Sequence, residues 1–459
     1  MHNFNLNFIP RRKGVYIVGG SVRDALRGHP PKDHDIAVIG DARSVAEEVA
    51  ANTGSRVVEI GKGKKCIYRV PAGDGACDVS AAKAQTLEED LRLRDFTVNA
   101  MAFDVYHQTL IDPLNGRADL DAGRVRMVCP EAFESDPLRL LRAFRISALL
   151  KFAISPETLE EIRKMAPAIA TVAGERIREE WIKLLGAPDS FTCLLQMADT
   201  GILEALFPEL MPLKNCPANA HHAFNAFDHV LAVYRHMEAM LHPDAPPLCD
   251  RCGNSELLNG PDGAAMIKHA ALLHDIGKPA VCTTDHQGQP HFYGHETTGG
   301  AIADAISCRL CFSSAEKHYT SFIIRHHLRP LLLYIAMSEG RRKNRARARF
   351  FIRTRPYSTD LLLLFAADMM GKNPDRDISG ALAFVRDTIA TCRDTFQPRA
   401  DAAPLVTGHD LVSRFGLKPS PLIAETLDKL EVQRVAGNIE SRKEALAFAE
   451  NFIKGKNLS

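Results

Sequence analysis

Residues 17–40 read IVGGSVRDALRGHPPKDHDIAVIG, and the strongest constraint in the chain is the pair Asp33 and Asp35 at the entry to an apolar run. On a strand, residues i and i+2 project to the same face, so a strand here holds two carboxylates side by side. Two like charges that close are unfavourable unless a cation sits between them. Magnesium suits the position, because it takes hard oxygen ligands and shares itself between carboxylates and substrate phosphates. Upstream, Gly19 and Gly20 let the backbone approach a phosphate closely, with Ser21 and Arg23 as further donors. Glycine pair followed by Asp-x-Asp therefore points to a nucleoside triphosphate and magnesium site. The bland alternative is a glycine turn and two solvent-facing aspartates at a strand end.

The surrounding pattern is that of an α/β domain. Short β-branched runs at Val15–Val18, Asp35–Ile39, Arg56–Ile60, Cys66–Val70 and Val98–Asp104 alternate with helical stretches such as Ala42–Thr53. After about residue 130, apolar residues recur at three- and four-residue intervals and the remainder reads as helical. Pro217, the segment 241–263 and the segment 398–404 read as connections. At 459 residues the chain is long for a single core. Eleven cysteines scattered over that length read as reduced thiols, not a disulfide framework. The longest apolar runs, such as Leu361 to Ala367, are too short to cross a bilayer, and no secretory signal pattern opens the chain. A cytoplasmic protein with no membrane partner is expected. A net charge of +1 excludes a uniformly basic coat but leaves room for a local patch.

The ordered motifs resemble those of the class II tRNA nucleotidyltransferase and bacterial poly(A) polymerase family. Gly19-Gly20-x-Val22-Arg23-Asp24-x-Leu26-x-Gly28 with Asp33-x-Asp35 is similar to its first motif, and LEEDLRLRDFTVNAMAFD (87–104) to its second, with Leu93 where an arginine is usual. IDPLNGRADLDAGRVRMV (111–128), SDPLRLLRAFR (135–145) and GERIREEW (174–181) resemble the third, fourth and fifth. The resemblance implies that Asp33 and Asp35 bind Mg2+ for in-line nucleotidyl transfer, with Asp78 as a third acidic residue facing the metals. Arg94, Asp95 and Asn99 would then hold triphosphate and ribose. Asp136 and Arg139 would read the base edge from one helix face, although Ser135 stands where the family has glutamate. Arg142 joins the nucleotide-binding set by the same likeness; by itself it reads, like Arg145, as a salt-bridged or solvated helix residue. The residues 406–430 resemble the helical tail of bacterial tRNA nucleotidyltransferases that carry an internal HD module.

A second constellation follows the first. His229, His274-Asp275 and Asp368 occur in the order of the HD phosphohydrolase superfamily, with His222 and His295 available to complete a site. Imidazoles and carboxylates converging in a helical bundle suit Mn2+, Ni2+, Co2+, Fe2+ or Zn2+ better than magnesium. An inactive remnant without metal is the alternative. The pairs Cys249/Cys252 and Cys308/Cys311 have zinc-like spacing, yet the second sits in a helical run where both fit as core and flank positions. The basic run 341–355 contains no acidic residue and reads equally as an RNA-tracking or a solvated helix face.

The expected fold class is α+β: an α/β head with a mixed sheet, then helices. The expected division is a head at 1–128, a base-recognising neck at 129–190, a body at 191–225, an HD domain at 226–375 and a tRNA-binding tail at 376–459. The expected activity is addition of CMP, AMP or both to a tRNA 3′ end, with ATP and CTP as substrates and the tRNA 3′ end and acceptor/T arm as partner. Synthesis of poly(A) on RNA is the alternative within the same chemistry. An HD phosphohydrolase with a nucleotide-sensing head is the alternative of another class. The sequence leaves the oligomeric state open.

Overall fold

The computed structural model describes residues 6–61, 63, 66–216, 225–248, 253–339, 343–373, 377–418 and 420–457. His222 and the pair Cys249/Cys252 lie outside the described residues. The chain divides into two compact units, Met1–Leu206 and Phe207–Ser459.

The first unit is built on a seven-stranded mixed sheet. Its strands are β1 (Val15–Val18), β2 (His34–Val38), β3 (Val58–Ile60), β4 (Ile67–Ala72), β5 (Gly75–Ala81), β6 (Ala102–Asp104) and β7 (Thr109–Ile111), in the spatial order β3-β4-β5-β2-β1-β6-β7. Only β2 and β5 run parallel; the other pairs are antiparallel. The short connection from β1 to β2 carries helix α1 (Gly20–Leu26), and helix α2 (Ala42–Thr53) follows β2. Asp41 caps α2 by accepting from the amides of Arg43 and Ser44, and Gly54 ends it at φ 65°. Its buried face, Val45, Ala46 and Val49, packs on the sheet beside Val70 and Val79. Pairing of Ala72 with Gly75 leaves Gly73 and Asp74 as a two-residue hairpin turn, and Gly73 supplies the positive φ of 60°.

Beyond the sheet, helix α3 (Leu138–Leu150) packs against helix α4 (Gly174–Gly186), whose Trp181 is fully buried. Two sequence expectations shift here. Residues Thr97–Asn99 form one 3-10 turn and the strand begins only at Ala102, because the Asn99 side chain donates to Asp95 and its amide to Phe96 O. The segment read as a connection near Pro398 is partly helical: Gln397–Asp401 continues directly from a π-helical turn at Cys392–Phe396.

The second unit is helical apart from a two-stranded ribbon at Thr283–Thr284 and Pro290–His291. Its central helices are α5 (Ala226–Leu241), α6 (Ala264–Leu273), α7 (His295–Arg309), α8 (Ser314–His326), α9 (Arg329–Ser338), α10 (Lys343–Thr354) and α11 (Ser358–Lys372). Helices α5, α6, α8 and α11 pack on one another, and α7 packs on α8. The leucine run 361–364 is buried throughout, so α11 is a core helix. The C-terminal helices enclose a core of their own, which includes Val406, Leu411, Leu430, Ile439, Ala445 and Ile453. Among the described residues no helix is long and apolar enough to cross a membrane.

Candidate functional site

Strand register brings the three acidic residues of the head together. Asp35 and Asp78 are direct partners across the parallel β2–β5 pair, and Asp33 precedes β2 by one residue. Ser21 clasps this corner: its hydroxyl donates to Asp33 O at 3.0 Å and accepts from the Asp35 amide at 3.0 Å. One Asp33 carboxylate oxygen accepts from the Ala76 amide at 2.9 Å, which ties the motif to β5. Gly19 sits at φ 71°, and a Cβ there would lie 3.2 Å from Arg94 Nη1 and 3.3 Å from Asp35 Oδ2. The glycine thus keeps open the space between a guanidinium and a carboxylate. A cavity of about 590 Å3 opens beside them, lined by Gly20, Ser21, Arg23, Asp33 and Asp35 among others.

Asp35 keeps solvent on its open side, but the atoms packed around its carboxyl withdraw it from water. This desolvation, with the charges of Asp78 and Asp33 and against that of Arg94, raises its pKa above the ordinary carboxylate value. Asp78 is not free to face a metal as the structure stands, since Arg69 grips it bidentately at 2.8 and 2.9 Å. Sequence reasoning missed Arg69; the signal was a lone basic residue at i and i+2 spacing along a strand of unknown register.

Behind the cavity runs a chain of charge-assisted bonds. Arg23 donates to Asp24 and, at 2.7 Å, to Asn99 Oδ1; Asn99 donates to Asp95 at 3.1 Å. Asp95 also receives Arg142 at 3.3 Å, and Arg142 continues to Glu180 on α4 at 3.1 Å, where Arg145 converges as well. Burial is the largest influence on Asp95, yet Arg142, Asn99 and the Phe96 amide outweigh it and lower its pKa. Arg23, Asp95, Asn99 and Arg142 are therefore linked in one network, whose end at Glu180 the sequence did not reveal. Arg94 stands apart, bonded to Asp90 at 3.3 Å.

The side chains of Asp136 and Arg139 do not bond to each other; the Arg139 amide donates to Asp136 O at 3.0 Å. Asp136 accepts from Arg176 at 2.9 Å and from the Leu138 amide at 3.3 Å. Arg139 is spent on the carbonyls of Ala132 and Leu93, both at 2.9 Å, and on Ser135 at 3.3 Å. Ser135 thus supports the arginine where the family's glutamate would stand.

The second constellation also converges. His229 on α5, His274 at the end of α6 and Asp368 on α11 form one group; Asp275, His295 at the start of α7 and His327 after α8 form another, and all are buried. His229 Nε2 lies 3.1 Å from Asp368 and 3.6 Å from Asp275. His274 Nε2 and His295 Nε2 reach Asp275 at 3.3 and 3.2 Å. Each of the four imidazoles turns Nδ1 to a backbone carbonyl: Gly371, Ala271, Phe292 and Ile324 in sequence order of the rings. That second bond selects the tautomer in which Nε2 offers a lone pair to the cluster. The donor set therefore fits a divalent ion of the nitrogen-accepting class.

The carboxylates carry lysines as partners too. Lys278 approaches Asp275 at 2.5 Å and Lys372 approaches Asp368 at 2.7 Å. Against desolvation, the His274 and Lys278 charges hold Asp275 well below its usual pKa, and Lys372 and His229 do the same for Asp368. Burial, then His274, pushes His327 down to about 3. Gly277 permits the close approach, because a Cβ would stand 2.2 Å from His295 O and 2.5 Å from the Gly299 amide. Sequence reading missed His327 and the pairing of Lys278 and Lys372 with the two carboxylates, since periodicity does not reveal which helix end meets which. Cys308 and Cys311 are both exposed, and no cluster among the described residues includes a cysteine.

Comparison with known proteins agrees with the head. The family described as "Poly A polymerase head domain" matches residues 15–126, "Probable RNA and SrmB-binding site of polymerase A" matches 151–214, and a tRNA nucleotidyltransferase domain 2 family matches 397–449. An A-adding tRNA nucleotidyltransferase of Deinococcus radiodurans is 30% identical, with 97% of each chain covered. A CC-adding tRNA nucleotidyltransferase of Synechocystis is also 30% identical, covering 98% of this chain and 96% of the relative. Among solved structures, a Thermotoga maritima CCA-adding enzyme complexed with tRNA superposes with a TM-score of 0.61 at 20% identity, covering 96% of this chain and 91% of that one, and so shares the fold. A mixed-sheet head with clustered carboxylates, followed by helices, defines a nucleotidyltransferase. The chain belongs to the tRNA nucleotidyltransferase and poly(A) polymerase family.

Proposed function

We propose that this chain adds CMP, AMP or both to the 3′ end of tRNA, using CTP and ATP. The observation that carries the reading is the juxtaposition of Asp33, Asp35 and Asp78 beside the glycine-lined cavity, in a chain that matches named tRNA nucleotidyltransferases over nearly its full length. Asp33 and Asp35 would hold Mg2+, which supplies charge neutralisation for the triphosphate and acidifies the attacking hydroxyl. The terminal ribose oxygen attacks the α-phosphorus, the bond to the bridging oxygen breaks and pyrophosphate leaves. Asp35 must be ionised to hold the ion; without metal, burial raises its pKa, and a bound cation favours the ionised form. Gly19 and Gly20 give the triphosphate backbone amides, and Arg23, held by Asp24 and Asn99, presents positive charge to the same cavity. Asp95 and Asn99 accept from and donate to the ribose. Asp136 and Arg139, the latter fixed by two carbonyls, present the base-reading edge, and Arg176 orients Asp136.

The test supplies purified protein with tRNA lacking CCA and with tRNA ending in CC, each with CTP or ATP alone. Incorporation of the cognate nucleotide only at its proper position supports the reading. Unlimited AMP addition to any RNA end moves it to poly(A) synthesis, and no incorporation removes it. The site of action is the cytoplasm, where tRNA ends mature.

The second reading concerns Phe207–Ser459 and rests on the His and Asp cluster. His229, His274 and Asp368 with Asp275, His295 and His327 would hold one or two ions of manganese, iron, nickel, cobalt or zinc, as an HD-type phosphohydrolase domain does. Metal analysis of the purified protein, with hydrolysis of 2′,3′-cyclic and terminal phosphates, checks it; neither metal nor hydrolysis would favour an inactive remnant.

A further inference from the structure

Within the basic run 341–355, the described residues 344–355 form a defined surface in the folded protein. Arg345, Arg349 and Arg353 are spaced four apart on α10 and so lie in one row, with Arg349 and Arg353 exposed. Like charges at this spacing repel one another, and a helix gains nothing from them unless an anion lies alongside. Among the described residues, no carboxylate pairs with Arg345, Arg349, Arg353, Arg355 or Arg329, whereas the intervening Arg347 is turned inward onto Asp387. The neighbouring helix α9, which packs on α10, contributes Arg329 from its first turn. Burial, and then the charge of Arg353, lowers the pKa of Arg329, so these two like charges lie near enough to oppose each other.

A second stripe borders the first. On α8, His318, Phe322 and His326 follow one another at four-residue steps along the border of the buried face that holds Tyr319 and Ile323, with His318 exposed and Phe322 and His326 half-buried. Their rings touch: Phe322 meets His326 at 4.4 Å and Tyr357 at 5.4 Å between centroids. Arg329 Nε donates to His326 Nδ1 at 3.1 Å, which joins the two stripes. Arginines without acidic partners beside partly exposed rings match an RNA backbone, since phosphates satisfy the guanidiniums and ribose or base faces lie on the rings.

We propose that the face formed by Arg329, Arg349 and Arg353, bordered by Phe322, His326 and Tyr357, binds the phosphate backbone of the substrate tRNA. The occupant rests on the tRNA-directed reading above; the site itself is separate from both acidic clusters and adds affinity, not chemistry. Each arginine replaces counterions on one phosphate, so its loss lowers affinity evenly across tRNA sequences and flattens the salt dependence.

The experiment measures tRNA binding directly, by filter retention of tRNA lacking CCA without nucleotide, from low to moderate salt. In Arg349→Ala/Arg353→Ala the dissociation constant is expected to rise about tenfold or more, and the slope of log K against log salt to fall by about 2. Arg329→Ala, measured alone, should flatten the slope by about 1. Incorporation at saturating tRNA should stay near wild type, which shows that the variants are folded. A control loses the same charge from exposed arginines that already pair with acids, Arg12→Ala/Arg43→Ala, and should bind normally. Unchanged affinity and slope in the α10 double variant, or an equal loss in the control, overturns the proposal, as does loss of binding to anionic vesicles with tRNA binding intact. Because binding is read without nucleotide, a protein that binds tRNA through this face but incorporates nothing defeats the catalytic reading and not this one.

Discussion

The two acidic clusters answer the same electrostatic problem in opposite ways. In the head, three carboxylates meet at the edge of a solvent-open cavity; Arg69 pairs with Asp78, while Arg94 and, more weakly, Arg23 offset Asp35. In the helical unit, Asp275 and Asp368 are buried, and each is matched by a lysine and by imidazoles locked through Nδ1. An open, under-compensated site gains most from ligands that arrive with their own cation and leave again, as nucleoside triphosphates do. A buried, compensated site is stable by itself and suits a resident ion. Isolated buried charge would cost several kcal/mol, so the lysines and rings are structural necessities before they are anything else.

The largest expected break in this comparison is Asp35→Ala. Nucleotide incorporation should fall about a thousandfold, in line with the removal of a charge-stabilising group from a transition state. Metal content and any hydrolysis assigned to the helical unit should remain. Loss of both functions in a folded variant would mean that the two sites are not independent.

The converse variant, His274→Ala, should lower bound transition metal by more than the roughly 10- to 100-fold that losing a supporting group costs. Incorporation should stay within about twofold of wild type. Elemental analysis after gel filtration, run beside the incorporation assay, separates the outcomes. Retained metal in His274→Ala would place the ion elsewhere.

What was readable in the sequence follows the same division. Asp33-x-Asp35 needs only the two-residue period of a strand; Asp35 lies in β2, and Asp33 stands one residue before it, tied by its side chain to the Ala76 amide. The helix Ala42–Thr53 was legible as a helical stretch between β-branched runs, and the structure adds its capping Asp41 and terminal Gly54. Asp78 facing Asp35 depends on the parallel register of two paired strands that are not consecutive in the sequence, which local pattern leaves free. His327 belongs to the helical cluster only because α8 ends beside α7, a tertiary fact with no periodic signature. The family resemblance supplied most of the remaining head residues, and it could not foresee that Arg139 is held by carbonyls while Asp136 turns to Arg176.

That last arrangement gives a smaller, sharper test inside the head. If Asp136 presents the base-reading edge and Arg176 only aims it, Asp136→Ala should reduce discrimination against GTP and UTP about tenfold, a loss of about 1.4 kcal/mol. Arg176→Ala should show a weaker loss in the same direction, and Arg176→Lys should recover part of it. Triphosphate affinity should change little, because Gly19, Gly20 and Arg23 lie elsewhere. Unchanged selectivity in both variants would move base reading to other residues.

The smallest effect concerns the cost of leaving the head's carboxylates under-compensated. Asp35 has a folded-state pKa above its unfolded value, so the folded protein binds that proton more tightly than the unfolded chain. Its contribution to stability is therefore full below the unfolded pKa and is lost as pH rises through the folded one; at neutral pH the ionised side chain is a slight burden. Asp35→Asn removes the burden while keeping the shape, so without divalent metal the variant should melt slightly higher than wild type at pH 7. At a pH below the unfolded carboxylate value, where the wild-type group is already neutral, that advantage should vanish. Saturating magnesium should reverse the order at pH 7, because an ion bound only by the folded wild type raises its stability by mass action and the asparagine variant forfeits that gain. Thermal melts with EDTA and with magnesium at both pH values read the sign directly. No reversal on adding magnesium would show that Asp35 does not hold the ion.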